Sequence, residues 1–252
     1  MPGTSELHIR VSDLAVGYDG VPILENLDFE IRRGEIFAIL GGSGSGKSTL
    51  LRHLIGLAEP IRGEIEVDGA KPKLDGGAPT AGVLFQSGAL LGSMTLGENV
   101  ALPLASWTDL KPHEIDAVVH SKLRLVGLGG FENHMPDELS GGMKKRAGIA
   151  RALALEPSLV YLDEPSAGLD PITSAELDDL LLTLNRGLGT TLVVVTHELP
   201  SIFAIARRCI LLDTAAKGAI ALGDPRQLRA ESLDPRVSAF FNRRPSGGEA
   251  HP

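Results

Sequence analysis

Short runs that are apolar at every position occur at residues 36–40, 159–162 and 192–195, and each is followed by glycine or polar residues. A strand with one wet face alternates apolar and polar. A strand apolar on both faces belongs to a parallel sheet covered by helices. Between these runs, the spacing of apolar positions predicts helices over 47–57, 142–155 and 173–184. The alternation of strand and helix predicts an α/β, doubly wound core with a mainly parallel sheet, whose ligands sit beyond the C-terminal strand ends.

The N-terminal part has a different pattern. Residues 7–16, 27–31 and 63–67 alternate or are rich in β-formers, with turn signals at Asp19-Gly20, Arg33-Gly34 and Asp68-Gly69. These features predict a small antiparallel β layer. Residues 95–139 lack strand runs and contain Pro103, Pro112 and Pro136, so they are expected to form a mainly helical insert. The 252 residues suit one domain over 1–244, with a helical subdomain at roughly 90–155. The polar tail 245–252 is expected to be disordered.

Composition narrows the classes. The net charge of −8, from 32 acidic against 24 basic residues, argues against a general nucleic-acid binder, which needs a basic stripe. A single cysteine, Cys209, fits a reducing compartment, and no activating partner stands beside it in sequence. No apolar run reaches the length of about 20 residues that a membrane-spanning helix requires, and the first residues do not resemble a signal peptide. A membrane role would therefore run through a partner.

The strongest chemical signal is Gly41-Gly42-Ser43-Gly44-Ser45-Gly46-Lys47-Ser48, which fits G-x-x-x-x-G-K-[ST] between a strand and a helix. Glycines let the backbone curl so that successive N–H groups converge on phosphates, and the helix start adds its positive dipole end. Lys47 is expected to reach the β- and γ-phosphates of ATP, the Ser48 hydroxyl to coordinate Mg²⁺, and Thr49 to bond a phosphate. At the end of the run 159–162 stand Asp163 and Glu164. Asp163 suits the Mg²⁺ shell and Glu164 suits a general base on the attacking water, although such a pair also serves to cap a helix. The run 192–195 leads to His197, which either contacts the γ-phosphate or is an ordinary strand-end histidine. Ser140-Gly141-Gly142 opens another helix, either as an anion site or as a simple N-cap. The Lys144-Lys145-Arg146 run behind it is expected to be a solvated face.

Together these residues resemble the ABC ATPase family over nearly the whole chain. Leu139-Ser140-Gly141-Gly142-Met143 resembles the ABC signature, Gln86 the Q-loop glutamine, and residues 166–170 the D-loop. Tyr18 occupies the place of the aromatic that stacks on adenine, unless it is a simple turn tyrosine. The resemblance implies that Gln86 joins the core to the helical subdomain and contributes to Mg²⁺ binding. It also implies a homodimer in the ATP-bound state, with Ser140, Gly141 and Gly142 closing over the other subunit's ATP. Met143 departs from the usual glutamine.

With residues 85–91, 170–173, 197–205 and 234–242, Met143 resembles the ATPase of Mla-type, Mce-associated phospholipid transporters. That group implies permease subunits, an Mce-type lipid-binding protein, in some systems a STAS-domain subunit, and a place on the cytoplasmic side of the bacterial inner membrane. The alternative is a soluble ABC ATPase with the same nucleotide chemistry and no permease, for example in iron–sulfur cluster assembly.

Overall fold

A computed structural model describes residues 6–72, 78–86 and 88–243; the predicted tail 245–252 lies outside the described residues. In chain order the elements are β1 (Leu7–Tyr18), β2 (Val21–Arg32), β3 (Ile36–Gly41), α1 (Lys47–Leu54), β4 (Arg62–Val67), β5 (Gly82–Leu84), α2 (Leu96–Trp107), α3 (Pro112–Leu125), α4 (Gly141–Ala152), β6 (Leu159–Asp163), α5 (Pro171–Leu188), β7 (Thr191–Val195), α6 (Leu199–Ile205), β8 (Arg208–Asp213), β9 (Gly218–Gly223), α7 (Pro225–Glu231) and α8 (Pro235–Phe241). They divide into two compact units, Met1–Lys73 with Val195–Pro252, and Leu74–Val194.

The first unit holds an antiparallel sheet in the order β2-β1-β4. Its first hairpin closes at Asp19-Gly20, where both residues have positive φ (50° and 75°), as a two-residue turn matched to strand twist requires. The same unit holds β3, parallel to β8, and β9, antiparallel to β8. Every residue of β3 is buried, as its unbroken apolar run predicts. At roughly 1.5–3 kcal/mol for each large apolar side chain taken out of water, this burial anchors the strand that leads into the glycine loop. Ala38 and Leu40 pack with Cys209, Leu211 and Ile202, and α8 adds Val237 and Phe241 to the same cluster.

The second unit carries the order β5-β6-β7, with β5 parallel to β6, and the helices α2 to α5. The start of α2 is fixed by a reciprocal cap. Thr95 Oγ1 accepts from Glu98 N at 3.2 Å, and Glu98 Oε2 accepts from Thr95 N at 2.7 Å. Asp170 starts α5 by accepting from the N–H groups of Ile172 and Thr173, ahead of Pro171 at the first helical position. Gly82 lies so close to Ala152 O that an added Cβ would stand 2.3 Å from it, so β5 and the end of α4 approach backbone to backbone. The architecture matches the α/β expectation, including the antiparallel N-terminal layer.

Candidate active site

In the first unit the phosphate-loop residues sit between the buried end of β3 and the start of α1. Gly41 (φ 153°) has no room for a side chain, since an added Cβ would lie 2.8 Å from Leu212 O and closer still to Ser45 Oγ. Gly46 (φ 90°) is the N-cap of α1 and packs against Leu24. No side chain caps α1, and no acidic residue stands in its first turn. A helix start built this way offers its N–H groups and positive dipole end to an anion.

Lys47 Nζ folds back over the loop and donates to Gly41 O and Gly42 O, both at 2.9 Å. Ser43 and Ser48 are exposed, whereas Ser45 is buried and its Oγ has no hydrogen-bond partner. Gly42 and Gly44 face open space. Open space over the glycines, an ammonium laid along the loop and an orphaned hydroxyl beneath it form a cradle that suits a polyphosphate. Thr49 is buried. Its hydroxyl lies 3.4 Å from Tyr18 Oη, and its carbonyl pairs with His53 Nδ1 at 2.8 Å.

Tyr18 ends β1 with its ring half exposed, and hydrogen bonds from Thr49 and then Arg52 hold its phenol below the ordinary range. Thr196 N donates to Ile39 O at 3.2 Å, and Thr196 Oγ1 accepts from Glu198 N. These bonds pin the segment that carries His197 to β3. The His197 ring is exposed and stands 3.8 Å from Glu198 Oε1. Cys209 is buried, and burial, with the Asp224 charge secondary, pushes its thiol up to about 12. A thiol held protonated to that degree has no nucleophilic role near neutral pH.

In the second unit, β6 presents Asp163 at its C-terminal end, and buried Glu164 follows with φ 47°. A non-glycine residue in the left-handed region is uncommon and is held there by its surroundings. Gln86 is exposed just beyond β5. Its carbonyl and that of Glu164 both accept from Lys145 Nζ, the latter at 3.0 Å.

Lys145 is the correction to the expected solvated face: it is buried, while Lys144 and Arg146 are half-buried. Burial lowers its pKa, and the charges of Asp163 and then Glu164 oppose that fall. The signal was present in the helical spacing, since Lys145 is three residues after Gly142 and four before Ile149, both buried on α4. Sequence reasoning passed over Arg151 as well. Its guanidinium donates to Ala89 O at 2.7 Å and Gly88 O at 3.3 Å. At the head of α4, exposed Ser140 accepts from Met143 N at 3.3 Å, and Gly142 fits against Thr173. The structure thus gathers Gln86, Asp163 and Glu164 around one helix in this unit, and Tyr18, 41–49 and His197 around β3 and α1 in the other.

A glycine cradle after a buried strand, a strand-end acidic pair and a Ser-Gly-Gly helix start define a P-loop ATPase cassette. Residues 24–167 match the ABC transporter family. The chain is 41% identical over 245 residues to a protein of Mycobacterium leprae named as a probable ribonucleotide transport ATP-binding protein, mkl, covering 95% of this chain and 70% of that one. It is 43% identical over 226 residues to the intermembrane phospholipid transport system ATP-binding protein MlaF of Escherichia coli K12, covering 87% and 83%.

Solved structures agree. The ATP-binding cassette MJ0796, in a dimeric post-hydrolysis state bound to ADP and Pi, superposes with a TM-score of 0.76 at 31% identity over 86% of this chain and 98% of that one. The cbiO1 protein of Clostridium perfringens superposes with a TM-score of 0.80 at 28% identity over 94% and 99%. The chain belongs to the ABC transporter family, and it is an ATP-hydrolysing cassette.

Proposed function

We propose that this cassette energises the movement of phospholipid between membranes, as the ATPase subunit of a transporter with a permease and an Mce-type lipid-binding protein. The observation that carries this reading is the 43% identity to MlaF across 83% of that protein. Met143 and the segments 85–91 and 197–205, which resemble the same group, support it. Among the described residues no helix is long and apolar enough to cross a membrane. Attachment to the cytoplasmic face of the inner membrane therefore runs through the permease. A surface for it lies next to Gln86, where Phe85 and Leu91 expose apolar side chains.

In this reading Lys47 binds the β- and γ-phosphates, and the loop N–H groups hold the phosphate chain. Tyr18 stacks on adenine through its exposed ring. Ser48, Gln86 and Asp163 carry the oxygen donors that would hold Mg²⁺, which would supply charge neutralisation on the transferring phosphoryl group. Glu164 takes a proton from the attacking water, and His197 contacts the γ-phosphate. Ser140, Gly141 and Gly142 close over ATP held by a second copy of the chain.

The test is purification of the tagged full chain from its native membranes, followed by identification of proteins and lipids in the complex. A permease, an Mce-type subunit and bound phospholipid are expected. Recovery with a permease and bound ribonucleotide but no lipid would replace this cargo with the one for which mkl is named. Recovery wholly in the soluble fraction would favour a permease-free ATPase such as one for iron–sulfur cluster assembly.

A further inference from the structure

Lys145, unlike buried Lys122, whose ammonium pairs with the carboxylate of Glu156, is tied to the residues of the nucleotide chemistry. Lys145 is 6% exposed, and Lys is almost never buried this far unless its charge is satisfied. Its Nζ donates to two main-chain carbonyls far apart in sequence, those of Gln86 and Glu164. Both belong to residues assigned to the nucleotide chemistry. A side chain that merely filled this space would be apolar, since a desolvated ammonium is costly.

The neighbouring positions on α4 serve the same segment. Arg151 bonds Ala89 O and Gly88 O. Gly148 lies between the two cations, and an added Cβ there would come within 3.1 Å of Gly88 O and 2.5 Å of Leu84 Cδ1. Residues 145, 148 and 151 recur every three positions and so line one side of the helix. The segment that follows β5 rests on this stripe, held at both ends by cations and allowed to approach by a glycine. Glu164, in turn, keeps an uncommon left-handed backbone (φ 47°) that neighbours must stabilise. Ala167 N bonds its carbonyl from one side at 3.2 Å, and Lys145 does so from another.

We infer that Lys145 is a positioning residue for ATP hydrolysis, whose ammonium ties the main chain at Gln86 to the main chain at Glu164 so that displacement of one is felt by the other. Lys145 acts through the two residues whose carbonyls it bridges. The inference rests on the assignment of Glu164 as the general base. It adds a physical link between the exposed surface at Phe85 and Gln86 and the group that activates water.

The experiment compares the full chain with Lys145→Met, of similar volume and no donors, and Lys145→Gln, shorter but with two amide hydrogens. Steady-state ATPase gives kcat and KM, and a fluorescent ATP analogue gives nucleotide affinity. Lys145→Met should lose at least tenfold in kcat with KM and analogue affinity within twofold, while Lys145→Gln should lose three- to tenfold. Hydrogen exchange of the variants should accelerate in peptides covering 84–91 and 163–168 and not in those covering 41–54.

A kcat within twofold of the parent in either variant overturns the inference. So does a parallel loss of kcat, affinity and melting temperature, which would mark Lys145 as structural only. If Lys145→Met does not fold, Lys145→Gln decides by the same criteria. Glu164→Gln, measured alongside, tests the base assignment separately. If that variant retains turnover the base reading fails, and the exchange pattern of Lys145→Gln still reports whether the tether exists.

Discussion

Gly46 meets two demands that no other residue can meet together. Its φ of 90° is strained for any residue with a Cβ, and the space a Cβ would take is already filled, 2.9 Å from Leu24 Cγ and Cδ1. Gly46→Ala is therefore expected to cost about 1–3 kcal/mol, a fall of several degrees in melting temperature for a chain of this size. It should also weaken ATP binding at least tenfold, because relief of the clash moves the start of α1, the proposed seat of the phosphates. Thermal melts with and without ATP measure both effects, and an unchanged melt together with unchanged affinity would refute the strain argument. The loop itself was legible in the sequence because its chemistry is local: glycines, lysine and serine at fixed spacing dictate the cradle. Lys145 was not, because its helical spacing from Gly142 and Ile149 marks only the buried face of α4 and not a function. Its role depends on carbonyls from Gln86 and Glu164 that only tertiary structure brings to it.

At the scale of elements, fully buried strands were the clearest. The runs 36–40, 159–162 and 192–195 became β3, β6 and β7 with at most one residue added at an end. Helix ends drifted further, for identifiable reasons. The helix expected over 47–57 stops at Leu54, because Gly56 takes φ 80° and its N–H turns to His53 O. The helix expected over 173–184 begins earlier, at Pro171, where Asp170 caps it, and runs to the left-handed Gly189. Strand β5 has three residues, and β9 runs from glycine to glycine. Neither gives a period long enough to read.

Among the helices, α4 bears the sharpest test, because Ser140 has been given two roles. As N-cap it satisfies Met143 N, and its loss should cost about 1 kcal/mol. As a donor to nucleotide on a second copy it should matter for turnover as well. Ser140→Ala is expected to lower the melting temperature by about 2–4 °C and kcat by tenfold or more. A lowered melt with unchanged kcat would leave Ser140 as a cap alone.

At the scale of the whole molecule, the candidate groups are divided between two compact units. Lys47, Ser48 and His197 lie in one; Gln86, Asp163, Glu164 and Ser140 lie in the other. This division makes one substitution able to separate binding from chemistry. Glu164→Gln leaves the phosphate loop intact and preserves the shape of the side chain, so ATP should bind with affinity within threefold of the parent. The amide cannot accept a proton from water, so turnover should fall by roughly 10²–10⁴, the range general-base catalysis contributes.

If Ser140 to Gly142 complete the site of a second copy, ATP that is bound and not hydrolysed should hold two copies together. Sedimentation of Glu164→Gln with MgATP should then give the mass of two chains, and ADP should return it to one. The parent chain under the same conditions should dissociate as it turns over. Normal steady-state turnover by Glu164→Gln would remove Glu164 from the role of base. A single-chain mass with ATP demonstrably bound would leave the base in place and remove the ATP-bridged homodimer. Because the two failures are read on different instruments, neither can disguise the other.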